Sequence, residues 1–313
     1  GFLSAYRNVG SVSNSGLELT IDTKNIQTKE FSWTSSFNIS FNRNKVLSLN
    51  DDEPSLASRV NWGNFNNAYP YIAIPGHPIA MFSGHIFDGV YQYTDFDKVG
   101  ESYILKDGVP NNGNAREKIQ PGDIKFKDIN RDGVVNDYDL TIIGNPNPKH
   151  IGGFGNNFQY KNFDLNVFFQ WSYGGDVLNA NRIEFEGGDP NARTSLNMFA
   201  SFANRWTPEN QTNELYRIGG QGPAVYSSRT IEDGSFLRLK TVSLGYRLPN
   251  AWLKKINIKS LRVYASAQNL ITWTRYSGPD PEVSTRPTAL TPSFDWSPYP
   301  RPRTLTLGVD ISF

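Results

Sequence analysis

Phe163-Asp-Leu-Asn-Val-Phe-Phe-Gln-Trp-Ser-Tyr173 decides the fold class. Phe163, Leu165, Val167, Phe169, Trp171 and Tyr173 alternate with Asp164, Asn166, Phe168, Gln170 and Ser172. A period of two puts alternate side chains on opposite faces of a strand, one apolar and one mostly polar. The same rhythm sets Phe31, Trp33, Phe37, Ile39 and Phe41 against Ser32, Thr34, Asn38 and Asn42. It recurs in Leu17, Leu19 and Ile21, and in Leu305, Leu307, Val309, Ile311 and Phe313. Residues 151–160 and 260–272 are weaker strands of the same kind. In 236–247 the apolar phase slips between Leu239 and Val242, as at a β-bulge. The reading gives seven strands of roughly 10–13 residues. The usual strand has about 5–6, whereas a tilted strand needs about 9–11 to cross a bilayer.

The connections fall at 25–30, 49–150, 161–162, 174–235, 248–259 and 273–302, alternately short and long. Outer-membrane barrels have this pattern, with tight periplasmic turns and long outer loops. If the last strand runs inward, every long connection is outside. Met81–Phe96, although strand-like, then reads as a hairpin or bend inside the first long loop. Tyr160, Tyr173, Trp252, Trp273 and Tyr276 lie near strand ends, where interfacial girdles belong. A soluble sandwich shares the alternation, but the polar opposite face, the girdle and the loop parity favour a membrane. Residues 60–87 carry no Asp, Glu, Lys or Arg, yet Asn61, Asn64, Pro70, Pro75, Gly76 and Pro78 exclude a spanning helix. Seven strands are odd and below the minimum of about eight for a bacterial barrel. The expected fold is therefore all-β: residues 1–313 form the C-terminal portion of a large antiparallel transmembrane barrel, with 49–150 as a large extracellular loop region.

Composition removes other classes. Lys plus Arg is 31 and Asp plus Glu is 30, so the net charge of +1 offers no field for nucleic acid, and no nucleic-acid partner is expected. No cysteine is present, which removes disulfides, thiolate metal sites and cysteine nucleophiles. The chain opens Gly-Phe-Leu-Ser with no signal peptide and reads as a mature part or later piece of something longer. No G-x-S-x-G, P-loop or dinucleotide fingerprint occurs, so the chain is not read as an enzyme. His77, His85 and His150 have no metal spacing and read as surface loop residues. Glu184, Glu186 and Asp189 form an acidic cluster, read as a solvated or partner-facing patch rather than a glycosidase pair. Residues 193–206 suggest a helix with Leu196, Phe199 and Ala203 on one face. Trp62, Tyr69, Tyr71, Trp296 and Tyr299 fall in outer loops, where they stack on sugar, hold a partner or pack the loop interior.

One motif carries metal chemistry. In Asp128-Ile-Asn-Arg-Asp-Gly-Val-Val-Asn-Asp-Tyr-Asp139, oxygens stand at loop positions of Asp128, Asn130, Asp132 and Asp139. Gly133 occupies the turn, and Val134 offers its carbonyl. The spacing is that of an EF-hand calcium loop, with Asp139 where glutamate is usual. Structural Ca2+ is the expected ion; an Asx-rich turn without one is the alternative.

Several stretches resemble one family in its own order: Asn14–Ile21, Gly76-His-Pro-Ile-Ala-Met-Phe82, Gly122–Gly133, Ile143–Lys149, Arg205-Trp-Thr-Pro-Glu-Asn210, Asp233–Lys240, Tyr264–Leu270 and Pro302–Phe313. Together they resemble the C-terminal part of SusC/RagA-type TonB-linked outer-membrane transporters. The resemblance implies a barrel of about 22 strands, plugged by an N-terminal domain. It further implies TonB coupling through the missing N-terminal part and a SusD-like surface lipoprotein as lid. The partners so implied are the rest of the barrel and plug, that lipoprotein, TonB and outer-membrane lipid. The function implied is uptake of oligosaccharides or peptides across the outer membrane of a Gram-negative bacterium, with the loops at the cell surface. No residue is assigned to cargo. The alternative function is a soluble, calcium-dependent, β-rich carbohydrate-binding module.

Overall fold

A computed structural model describes residues 10–50, 53–60, 68–187, 196–224, 226–254, 257–285 and 287–313. Seven long strands form one sheet: β1 (Gly10–Gln27), β2 (Phe31–Leu49), β3 (His150–Tyr160), β4 (Phe163–Tyr173), β5 (Phe236–Arg247), β6 (Ser260–Thr274) and β7 (Thr304–Ser312). They follow one another across the sheet in chain order, each antiparallel to the next. Among the described residues no helix is long and apolar enough to cross a membrane.

Register turns the alternation into rows. Ile26, Trp33, Phe158, Leu165, Leu244, Ala265 and Leu307 pair successively across all seven strands. The adjacent row on the other face reads Lys24, Thr34, Asn157, Asn166, Ser243, Ser266 and Thr306. The wall thus has one apolar and one hydrophilic surface, and no second sheet covers the apolar side among the described residues. Leu307 is 86% exposed and Leu305 78%, exposure that suits lipid and would be costly in water. A soluble sandwich would bury these residues between two sheets.

Asn156, Ser35 and Asn25, polar residues on the apolar face, bond to one another and to Trp33. Asn156 shares the row of Ser35 and Val167, and its Oδ1 accepts from Trp33 Nε1 at 2.9 Å and Ser35 Oγ at 2.8 Å. Asn25 Nδ2 donates to Ser35 Oγ at 2.6 Å. Hydrocarbon offers no alternative partners, so such groups must pair within the protein. The bulge lies where the phase slips: Leu239 and Thr241 oppose the consecutive Phe169 and Phe168, leaving Lys240 as the extra residue.

The apolar core lies in the outer connections. Leu56–Ser58, Tyr71–Ala73, Met81–Gly84 and Thr141–Gly144 form a small sheet within the first connection. Met81–Gly84 and Phe87–Val90 are thus short loop strands and do not extend the wall. Tyr71 and Phe82 pack with Leu178, Phe294 and Trp296, so three connections distant in sequence share one core. A second core joins Val90, Ile124, Phe126 and Val135 to Trp206, Leu215 and Tyr216. The long loops therefore build one folded cap. Trp206 can settle only against Gly122, because a Cβ there would lie 2.4 Å from its ring.

Three expectations need correction. From residue 196 onward the anticipated helix is replaced by a single 3-10 turn, Ala200–Asn204, and its earlier residues lie outside the described set. Among the described residues of this connection, the α-helix that forms is Asn181–Glu186. Asn197, Ser201 and Asn204 are poor helix formers, and core packing of Trp206 sets the local path. Tyr276 is not a girdle residue; it is 5% exposed, and its hydroxyl donates to Asp295. Of the loop aromatics, Tyr71 and Trp296 take the interior-packing alternative, inside the cap; Tyr69 and Tyr299 are exposed, and Trp62 lies outside the described residues. Only His77 is an exposed loop histidine: His85 is half-buried against Phe126, and His150 begins β3 and accepts from Trp171 Nε1 at 3.1 Å.

Candidate functional site

The hydrophilic face of the wall and the underside of the cap enclose the site. On that face Asn38, Gly153, Gln170 and Arg238 form one row across β2 to β5. Arg238 is only 1% exposed. Its Nη2 lies 2.6 Å from Asp280 and its Nη1 3.4 Å from Glu282. Arg301 closes the group, 3.7 Å from Asp280 and 2.8 Å from Glu282. Both carboxylates belong to the connection after β6, so two arginines and two acids fold that connection inward against the wall. A buried guanidinium is tolerated only with such partners. The sequence signal was an arginine in the hydrophilic phase of a strand, facing the acids of Pro279-Asp-Pro-Glu282.

A second polar group ties the last two outer connections together. Glu186 accepts from Arg182 Nε at 2.9 Å, Arg229 Nη1 at 2.7 Å and Ser201 Oγ at 2.7 Å. Burial pushes its pKa up, but the arginines and the serine outweigh it and hold the carboxyl below its ordinary value. Glu232 accepts from Arg182, Asn179 and Ser277. Glu186 is thus a structural ion-pair centre, not part of a solvated patch, and Asp189 lies outside the described residues. Asp295 accepts from Asn181 at 2.8 Å and from Tyr276; burial raises its pKa against these hydrogen bonds.

The acidic loop is held by its own side chains. Asp128 accepts from the N–H of Arg131 at 2.6 Å and of Gly133 at 2.8 Å. Asn130 accepts from Asp132 N–H at 3.0 Å, and Asp132 accepts from Val134 N–H at 2.8 Å. Asp139 is fully buried and staples the loop shut, taking N–H groups of Ile129 at 2.7 Å and Asn136 at 2.9 Å. Burial pushes the Asp139 pKa up, but these backbone donors lower it further, to below the ordinary value. Among the described residues no group of three or more His, Asp or Glu side chains converges as a metal site. The remaining donors are hard oxygens, the kind calcium takes.

Between wall and cap lies a cavity of about 690 Å³, lined by Asn38, Phe168, Gln170, Asp176 and Glu282 among others. An amphipathic wall with loops folded inward over its hydrophilic face is the architecture of part of a transmembrane barrel.

No protein-family model matches the chain. It is 35% identical to TonB-dependent receptor P3 of Formosa agariphila, across 100% of this chain and 30% of that protein. It is 29% identical to TonB-dependent receptor SusC of Bacteroides thetaiotaomicron, across 98% of this chain and 27% of that protein. Among solved structures, the RagAB peptide transporter shares the fold with a TM-score of 0.74 at 24% identity, covering 100% of this chain and 30% of that one. The closed-closed RagAB peptide importer also has a TM-score of 0.74, at 25% identity. The chain is thus similar along its whole length to a stretch of TonB-dependent receptors, shares its fold with part of the RagAB transporter, and spans about 30% of these relatives' length.

Proposed function

We propose that the chain is wall and outer cap of an outer-membrane importer of a Gram-negative bacterium. It takes up oligosaccharides or peptides with a SusD-like surface lipoprotein as lid, and the rest of the barrel, the plug and TonB act through sequence outside this chain. The observation that carries the reading is the pair of adjacent rows, one apolar and one hydrophilic, running across all seven strands. The three long connections emerge on the same side and fold together, which supports a surface-exposed cap above a lumen.

In the same reading, the 128–139 loop takes calcium for structure, through Asp128, Asn130, Asp132 and the Val134 carbonyl, with Asp139 closing the loop. The spacing and the oxygen chemistry support this. Around the loop stand Ile129, Tyr138 and Leu140, at 41%, 85% and 43% exposure, an apolar rim for lid contact.

The test is isolation of the full-length protein from outer membranes, with and without Ile129→Asp plus Tyr138→Asp. A co-purifying surface lipoprotein and cargo uptake are expected, both reduced in the variant. A full-length protein that is monodisperse without detergent would overturn the importer reading.

A further inference from the structure

We infer that the outer rim of the lipid-facing surface carries a site for a phosphorylated glycolipid headgroup, built from Arg43, Lys149, Tyr173, Trp273 and Arg275. This rests on the membrane-wall reading above and goes beyond it, because the ligand binds outside the barrel and does not pass through it.

The site starts from the outermost apolar row. Ile39, Gly152, Trp171, Leu237 and Trp273 pair successively across β2 to β6. A Cβ at Gly152 would collide with the Trp171 ring, so the glycine lets that ring lie over β3. There its Nε1 donates to His150 Nδ1 at 3.1 Å, and the ring stacks on Phe37 at 5.7 Å. Trp171 is thereby drawn away from β5. A groove of about 710 Å³ opens above Leu237, with Trp171 and Tyr173 on one bank and Trp273 and Arg275 on the other. The banks belong to strands two spacings apart, about 10 Å, which leaves room for a sugar ring between aromatic faces.

Cations stand on both banks. Gly174 has a φ of +83°, and a Cβ there would lie 2.7 Å from Lys149 Cγ. The Lys149 stem therefore crosses the end of β4, and its Nζ lies 5.7 Å from the centre of the Tyr173 ring. Arg43 continues the lipid-facing phase of Phe37, Ile39 and Phe41, and its Nη1 donates to the Lys149 carbonyl at 2.7 Å. Exposed Arg275 follows Trp273 on the opposite bank. Among the described residues none of the three is within ion-pair distance of a carboxylate. Two acids face them: Asp176, on which Lys149 acts from farther off, and exposed Asp233 in the groove itself.

Charge and position decide the occupant. Three cations against two acids leave this rim positive where the aromatic belt ends. The same strand ends lead into the long connections, so the rim faces the outer leaflet. Guanidinium and ammonium groups match a phosphate. The tyrosine and tryptophan faces match a sugar, and the apolar rows below match acyl chains. A phosphorylated glycolipid offers all three. A phospholipid lacks the sugar, and free phosphate lacks both sugar and chains.

The experiment uses the full-length transporter with its partner, delipidated in detergent and titrated with lipids while native mass spectrometry reads bound against free protein. The probes are monophosphoryl lipid A, dephosphorylated lipid A, phosphatidylglycerol and inorganic phosphate. Monophosphoryl lipid A is expected to bind at least tenfold more tightly than the other three. At about fivefold per cation, Arg43→Gln plus Lys149→Gln plus Arg275→Gln should weaken it at least twentyfold. Asp233→Asn removes the facing acid and should tighten it about two- to fivefold, a gain that a merely structural role would not give. Lys161→Gln and Lys259→Gln, at the opposite rim, should leave it unchanged. Heat-modifiable migration matched to the parent shows that each variant is folded. Equal binding of the dephosphorylated lipid or of phosphatidylglycerol, or indifference to the triple variant, would overturn the site. If the protein inserts into phosphatidylcholine vesicles yet shows no phosphate preference, only the site falls. If it inserts into no vesicle, the membrane-wall reading falls and the site with it.

Discussion

Phe169→Arg should destabilise the barrel strongly, and Asn166→Arg should not. Both lie on β4, an eleven-residue strand whose central residue is Phe168. Phe169 is one residue past that centre and Asn166 two before it, so at about 3.4 Å per residue along a tilted strand both sit near the bilayer midplane. Phe169 belongs to the apolar row of Phe37, Phe154, Leu239 and Ile271, and an arginine there faces hydrocarbon. At the midplane that costs about 2–4 kcal/mol. In folding equilibrium this is a factor of about 30 to 900. Asn166 lies in the hydrophilic row beside Asn157, which accepts its amide at 2.6 Å. An arginine there has water and polar neighbours, and loses one hydrogen bond of about 0.5–1.5 kcal/mol. The assay is reversible folding of the full-length protein into lipid vesicles over a denaturant series. Equal costs for the two substitutions would refute the face assignment.

Further outcomes follow from the same geometry. On intact cells, an impermeant thiol reagent should label Tyr138→Cys and leave Asn162→Cys, in the tight turn after β3, unlabelled; surface labelling of Asn162→Cys would invert the topology. Arg238→Ala leaves two carboxylates without their buried partner, a loss of about 3–5 kcal/mol for such pairs, so limited proteolysis should cut within 275–303 while the wall stays folded. The Glu186 carboxyl is held below its ordinary value, so its contribution is present above the unfolded pKa and fades as pH falls through the lower folded one. Cap protection in hydrogen exchange should accordingly drop below about pH 4.5, and Glu186→Gln should flatten that dependence. Asp128→Ala plus Asp132→Ala should make the first outer loop protease-sensitive, and a chelator should do the same to the parent; identical digestion with and without chelator would leave the loop as an Asx turn alone.

The wall was legible because its physics is local. Alternation in Phe163–Tyr173 fixes the faces without knowledge of the neighbours, and loop lengths fix the direction of each strand. Even the Lys240 bulge showed as a broken phase between Leu239 and Val242. The cap was not legible, because its core joins residues from three connections, such as Tyr71, Leu178 and Phe294, with no shared period. That is why the loop aromatics left a ligand-facing and a core reading both open, although Tyr71 and Trp296 are core, and why Tyr276 looked interfacial. Leu196, Phe199 and Ala203 showed helical spacing, but spacing without good helix formers does not survive competition from tertiary packing. Glu186 looked solvated for the same reason: Arg182 is four residues away and visible, whereas Arg229 is brought in only by the fold.

The central claim is that the sheet is a membrane wall with lipid on one face and an aqueous lumen on the other. It is tested most directly by single spin labels at each position of 163–173 in the full-length protein, reconstituted in lipid. Accessibility to oxygen and to a water-soluble nickel complex is then read at every site. The account predicts a strict period of two, with Leu165, Val167 and Phe169 favouring oxygen and Asp164, Asn166 and Gln170 favouring nickel. Uniform access to nickel along the strand would contradict it.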